Sequence, residues 1–142
     1  MIKPFIQGSD AQQDRELFSF VGPWTTSREI SKELGMPIFS EPGDVWFLSV
    51  GPSGTLWGFA LIHLFQTTKT AHLRYLYVAD GNARVQSDLL KEALALAKAH
   101  DMESIYTNDR EKDGIWSNAG FKKHKKPRSS FYKWEKTLKE PK

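Results

Sequence analysis

Two histidines and an arginine fall where a hairpin would bring them together. If the turn between Leu56–Phe65 and Thr70–Val78 is centred between Thr67 and Thr68, His63 lies directly opposite His72. Arg74 then lies opposite Leu61 on the same face. Two imidazoles and a guanidinium are costly in a dry core, so this face is either a wet cleft or the solvated end of the hairpin. In the first case His72 is a candidate general base. Neither spacing nor partner residues support metal binding by these histidines, and His100 and His124 read as surface residues. No Ser-His-Asp set has convincing spacing. Gly54-x-x-x-Gly58 lacks the following Lys-Ser/Thr of a phosphate loop. Cysteine is absent, which removes disulfides, thiolate metal sites and a cysteine nucleophile together.

The second chemical feature is charge. From residue 122 to 142 there are 9 Lys+Arg against Glu135 and Glu140, on a remainder with more acidic than basic side chains. The run Lys122-Lys123-His124-Lys125-Lys126-Pro127-Arg128 suits an anionic partner, or is a solvated basic face. Phe131, Tyr132 and Trp134 beside it could stack on nucleic-acid bases or pack inward.

The elements that position these residues follow from pattern. The 142 residues, 39% hydrophobic and 13% aromatic, suit one compact domain, 1–142, with a real core. Ile2–Ile6 reads as a strand. Ser9-x-x-Gln12 and Thr26-x-x-Glu29 have capping-box spacing and open two helices, the second stopping at Gly35. Val45–Val50, Leu56–Phe65 and Thr70–Val78 are three consecutive strands, the first two joined by Gly51-Pro52-Ser53-Gly54. Segment 85–100 changes period, with Val85, Leu89, Ala93, Leu96 and Ala97 on one helical stripe. A strand over 104–107, a brief helix capped by Asn108-x-x-Glu111 and a hairpin of 121–125 with 130–137 close the chain. Three strands without intervening helices predict an α+β (mixed α/β) fold, not a doubly wound parallel sheet. The longest apolar run, Leu56–Phe65, is too short to span a bilayer, and the N-terminus lacks a secretory pattern, so the expected location is cytoplasmic.

In this order of elements the sequence resembles the GNAT N-acetyltransferase superfamily. Leu73-Arg74-Tyr75-Leu76-Tyr77-Val78, then a polar loop and Leu89-Leu90, is similar to that family's fourth strand, cofactor loop and main helix. Ile115-Trp116-Ser117-Asn118-Ala119-Gly120-Phe121 resembles the helix and Gly-Phe pair before its sixth strand, and Phe131-Tyr132-Lys133-Trp134 its last strand. The resemblance implies a central mixed sheet of about seven strands flanked by helices and splayed between the fourth and fifth. It also implies an acyl-CoA-dependent N-acyltransferase, with acetyl-CoA as the acyl donor and an amine as acceptor. The family's Arg/Gln-x-x-Gly-x-Gly/Ala loop is degenerate here, its positions being Gly81, Arg84 and Gln86. Arg84 either supplies charge in place of the glycines or closes the site with its bulk.

The cofactor-binding residues that the resemblance implies are Leu76, Tyr77, Val78, Arg84, Val85, Gln86, Ser87, Asn108 and Trp116. Backbone groups of Leu76, Tyr77 and Val78 would hold the pantetheine arm and polarise the thioester. Helix-start residues would meet phosphates. Trp116 stands where many members carry a proton-donating tyrosine, and indole is no acid near neutral pH. Tyr132, Tyr75 or Tyr77 then serves, or the thiolate leaves unaided. Expected catalytic residues are His72 and Tyr132, and expected substrate-binding residues are Arg74, Lys125 and Arg128. A non-catalytic nucleic-acid-binding module, or an enzyme modifying a nucleic-acid base, is the alternative reading. A homodimer and the absence of any membrane partner complete the expectations.

Overall fold

A computed structural model describes residues 2–34, 38–110, 115–125 and 131–138, with only the backbone of Arg110 and Lys125. Gly35, Glu111 and Arg128, all invoked above, lie outside these residues.

Seven strands form one sheet: β1 (Ile2–Ile6), β2 (Val45–Val50), β3 (Leu56–Phe65), β4 (Thr70–Val78), β5 (Ser104–Arg110), β6 (Lys122–Lys125) and β7 (Phe131–Thr137). Their order is β1-β2-β3-β4-β5-β7-β6. Every neighbouring pair is antiparallel except β4 and β5, whose parallel pairing follows from the crossover helix between them. Four helices accompany the sheet: α1 (Ala11–Thr25), α2 (Arg28–Leu34), α3 (Ala83–Ala99) and α4 (Ile115–Asn118). The expected α+β fold with a mixed seven-stranded sheet is the one observed.

The core divides at the sheet. On one face Val45, Phe47, Ala60, Ile62 and Leu73 pack against Val85, Leu89, Ala93 and Ala97 of α3 and Trp116 of α4. On the other, Trp46, Leu48, Phe59, Leu61 and Tyr75 pack against Leu17 and Val21 of α1. Covered on both sides, β2 is buried at every position and is apolar at every position but Ser49. Gly58 permits a close approach on the α3 side. A Cβ there would stand 2.8 Å from the Tyr77 carbonyl oxygen and 3.2 Å from Leu89.

Several local expectations are corrected. The cap of α1 is Asp10, whose carboxylate accepts from the Gln12 amide at 2.8 Å; Ser9 Oγ donates instead to the Ile6 carbonyl. Thr26 ends α1, and Ser27 Oγ accepts from the Ile30 amide at α2. In each case the cap lies one residue further along than the expected one. α3 begins at Ala83, capped by Asn82, and β5 runs to Arg110. Asn108 therefore neither ends β5 nor caps a helix: it sits inside the strand opposite Lys133.

The most consequential correction is at Arg74. His63 does pair with His72, but Ile62 pairs with Leu73 and Leu61 with Tyr75. Arg74 is the extra residue of a β-bulge, not the partner of Leu61. A bulge bends its strand and shifts the alternation of side chains by one. Leu73 and Leu76 accordingly both face α3, while Tyr75 and Tyr77 face α1 and α2.

Candidate functional site

β4 and β5 pair at only three positions, Thr70↔Ser104, Ala71↔Ile105 and His72↔Tyr106. The bulge at Arg74 follows two residues later and turns β4 aside, so among the described residues no further pairing joins the two strands. The result is a cleft of about 540 Å³ walled by Leu76, Tyr77 and Val78 of β4 and Asp109 of β5. Glu33 and Leu34 of α2, the turn at Asp80 and Gly81, Gln86 of α3 and Trp116 of α4 complete it. A second cavity of about 520 Å³ runs between α3 and α4 past Ser87, Lys91 and Asn118. Gln86 and Ile115 line both, so the two spaces share a wall.

The start of α3 faces this space, but not with bare amides. Asn82 Oδ1 accepts from the Arg84 amide at 3.0 Å and from the Val85 amide at 3.2 Å. An internal carboxamide thus holds two of the free donors of the helix terminus, and an anion would replace it there. The side chain of Arg84 is exposed, and that of Val85 belongs to the core. The turn before Asn82 is held open by Asp80 (φ 57°) and Gly81 (φ 62°), both left-handed.

Three carboxylates line the cleft. Asp109 accepts a hydrogen bond from the indole Nε1 of the buried Trp116 at 2.8 Å. Glu33 bonds the phenol of Tyr77; burial, then this carboxylate, push the phenol from 10.0 up to about 12. Tyr77 is held neutral and is a poor proton donor to a thiolate near pH 7. Tyr75 is buried on the α1 face, its hydroxyl accepting from the Phe39 amide at 3.0 Å. Tyr132 is half-buried against the α3-side core, with Lys123 Nζ 4.9 Å above its ring. It is not among the residues lining the cleft. Trp134 is only 2% exposed, so stacking on a nucleic-acid base is closed to it.

Where the cleft narrows, the opposite face of the sheet carries an ionic cluster that the sequence reading did not assemble. Asp44, with no exposed surface, accepts from the Glu41 amide at 3.0 Å and lies 2.6 Å from His63 Nδ1. Arg74, projected by the bulge, donates from Nη2 to Glu41 at 2.8 Å and brings Nε within 3.5 Å of Asp44. Ligand atoms of Glu41, Asp44 and His63 lie within 4.8 Å of one another, a grouping of metal-binding type, but the positive charge present there is the guanidinium. The histidine pair expected at a wet face or hairpin end stands at this ionic cluster. His72 lies flat against Tyr106, whose phenol pKa is raised by burial, an effect that Arg74 offsets only in part. Asn108 lines a small recess beside the cleft with Arg74, Leu76 and Asp109. The backbone of Lys125 pairs with Tyr132 in the terminal hairpin.

Glu33, Glu41, Asp44, Tyr106 and Asp109 were missed because nothing in their local spacing links them to the distant residues they meet. One available signal was Asp44 standing directly before the apolar run of β2, where a carboxylate is hard to solvate.

No family model matches the chain, and no curated protein sequence matches it. Its shape does match solved structures. The GNAT domain of S. lividans PAT superposes with a TM-score of 0.68 at 17% identity, covering 96% of this chain and 89% of that one. An acetyltransferase of the GNAT family from Staphylococcus aureus Mu50 gives 0.63 at 16%, covering 98% and 100%. N-acetylglutamate synthase from Neisseria gonorrhoeae, complexed with coenzyme A and N-acetylglutamate, gives 0.61 at 10%, covering 99% of this chain and 36% of that one.

Proposed function

We propose that this chain, which has the GNAT acetyltransferase fold, is an acyl-CoA-dependent N-acyltransferase that moves an acetyl group from the thioester to an amine by direct attack. The carrying observation is the divergence of β4 from β5 after His72↔Tyr106, their last pair among the described residues, which puts the Leu76–Val78 segment of β4 beside a ligand-sized space. Oriented main-chain amides stabilise charge that develops on a thioester oxygen, and the edge at Leu76, Tyr77 and Val78 supplies such groups.

The residues present fit a coenzyme A arm. The adjoining cavities offer an angled path from the β4 edge past Gln86 to Ser87 and Lys91, whose ammonium suits a phosphate. Coenzyme A supplies the activated acyl group and a stable leaving thiolate. On the protein's side, α2 and α4 close the cleft, Trp116 and Asp109 fix one wall, and Tyr77 and Glu33 the other. His72, in the last β4–β5 pair and outside the residues that line the cleft, is the proposed acceptor of the amine's proton. Isothermal calorimetry with acetyl-CoA tests the reading. Binding in the micromolar range is expected, and no binding at millimolar cofactor removes it.

A second reading, a nucleic-acid-binding module on this scaffold, is favoured by two observations: Asn82 holds the helix-start amides, and β6 and β7 carry Lys122, Lys123, Lys133 and Lys136. Fluorescence anisotropy with labelled DNA and RNA separates the two readings, because phosphate-driven binding falls steeply between low and high salt.

A further inference from the structure

One register row of ionisable side chains crosses the sheet where the cleft begins. Asp44 stands one position before the Val45↔Ile62 pair and contacts His63 at 2.6 Å. His63 pairs with His72, His72 with Tyr106, Tyr106 with Glu135 and Glu135 with Lys122. Directly paired residues carry their side chains on one face, with Cβ atoms about 4.5–5.5 Å apart. This row therefore lines the face opposite α3.

We infer that Asp44 and His63 are positioning residues of a proton relay that takes the acceptor's proton from His72 and passes it to solvent. The inference rests on the acyltransfer reading and names its proton path. Asp44 is fully buried: it accepts from the Glu41 amide, lies 2.6 Å from His63 Nδ1, and has the Arg74 guanidinium at ion-pair distance, 3.5 Å. Its carboxylate binds His63 at Nδ1, so the neutral imidazole carries its proton there and offers Nε2 as an acceptor. The cross-strand spacing puts that nitrogen within reach of the His72 ring directly or through one water.

Charged and aromatic groups from several strands and the loop before β2 surround the two imidazoles. Around His63 stand Asp44, Glu41 at 3.4 Å and, on β4, Arg74 bonded to Glu41; Phe65 packs edge-on at 4.5 Å. Around His72 stand His63 and Tyr106, with Lys133 Nζ 4.9 Å above the Tyr106 ring. Asp44 is the carboxylate nearest to His63, at 2.6 Å from Nδ1. The His63 side chain is 21% exposed, enough to release that proton to water. In the full step the acceptor nitrogen bonds the acyl carbon and the carbon–sulfur bond breaks, its electrons leaving on the thiolate. The nitrogen's proton passes to His72 and then to His63, and the thiolate takes a proton from solvent.

The test has a part without turnover and a part with it. Long-range ¹H–¹⁵N correlation spectra of the wild-type protein at alkaline pH should show neutral His63 with its proton on Nδ1. A proton on Nε2 overturns the relay. In acetyl-CoA assays against a panel of primary amines, His63→Ala should lose about tenfold or more of the rate at neutral pH. Acetyl-CoA affinity should stay unchanged, and added imidazole should restore the rate. Asp44→Asn, which keeps the side chain's size, should shift the His63 tautomer. A wild-type pH–rate profile in His63→Ala, or a loss that imidazole leaves in place while thermal melts show a folded protein, overturns the relay alone. Failure of the wild-type protein to bind acetyl-CoA overturns the acyltransfer reading itself, and is measured first.

Discussion

The imidazole of His72 lies flat on the ring of Tyr106, with centroids 4.4 Å apart and planes 9° from parallel. The two residues form the last pair joining β4 to β5. The bulge at Arg74 follows two residues later, where the strands part. An aromatic contact of this kind contributes about 0.5–1.5 kcal/mol.

His72→Phe keeps a flat ring against Tyr106 and deletes the basic nitrogen. Its melting temperature should stay close to that of the wild type and acetyl-CoA should bind equally well. Acetyl transfer to a primary amine at neutral pH should fall about 100-fold or more. A thiol-release assay reads the rate; an undiminished one assigns proton removal to another group.

Asn82→Ala removes the α3 cap and should cost about 1 kcal/mol of stability without ligand. It also frees the Arg84 and Val85 amides, so acetyl-CoA should raise the variant's melting temperature more than the wild type's. Arg84→Ala alters an exposed side chain and should leave stability unchanged while weakening acetyl-CoA binding. Calorimetry separates the two, and unchanged affinity in Arg84→Ala moves the phosphate contacts to the backbone.

Asp80 adopts φ 57° and ψ 14°, a conformation that disfavours a residue with a Cβ, and its carboxylate lines the cleft. Asp80→Gly relieves the backbone and removes a negative charge from the path of a pyrophosphate. Acetyl-CoA affinity should rise several-fold with little change in melting temperature. Weaker binding would mean that the carboxylate serves the ligand rather than repelling it.

Tyr77 has a pKa raised to about 12 from 10.0, chiefly by burial and then by Glu33. Because the folded-state value is the higher, the phenol's contribution to stability is intact below pH 10 and is lost as pH rises towards 12. Tyr77→Phe should therefore show a shallower fall in melting temperature over that interval. Parallel slopes for the two proteins would place the loss at other groups.

Much of the architecture could be read along the chain. The stripe of Val85, Leu89, Ala93 and Ala97 is a local periodicity, and burial of α3 against the sheet is its direct physical consequence. Cap positions were less legible, because Ser9 and Asp10, or Thr26 and Ser27, are adjacent residues with nearly equal capacity to accept from a helix amide. Pairing of His63 with His72 followed from turn length alone. The position of Arg74 did not, since no pattern within a strand announces an extra residue whose place is fixed by its neighbour.

By itself the sequence determined the elements, their order, the α+β class and the basic end, since these depend on periodicity and composition over a few turns of chain. Only the tertiary structure decided that Asp44 meets His63 and that Glu41 meets Arg74, pairs separated by 19 and 33 residues. It also decided that Asn82 seals the helix start and that carboxylates line the cleft. Such contacts depend on strand register, on one bulge and on loop closure, where a shift of a single residue turns a side chain to the other face.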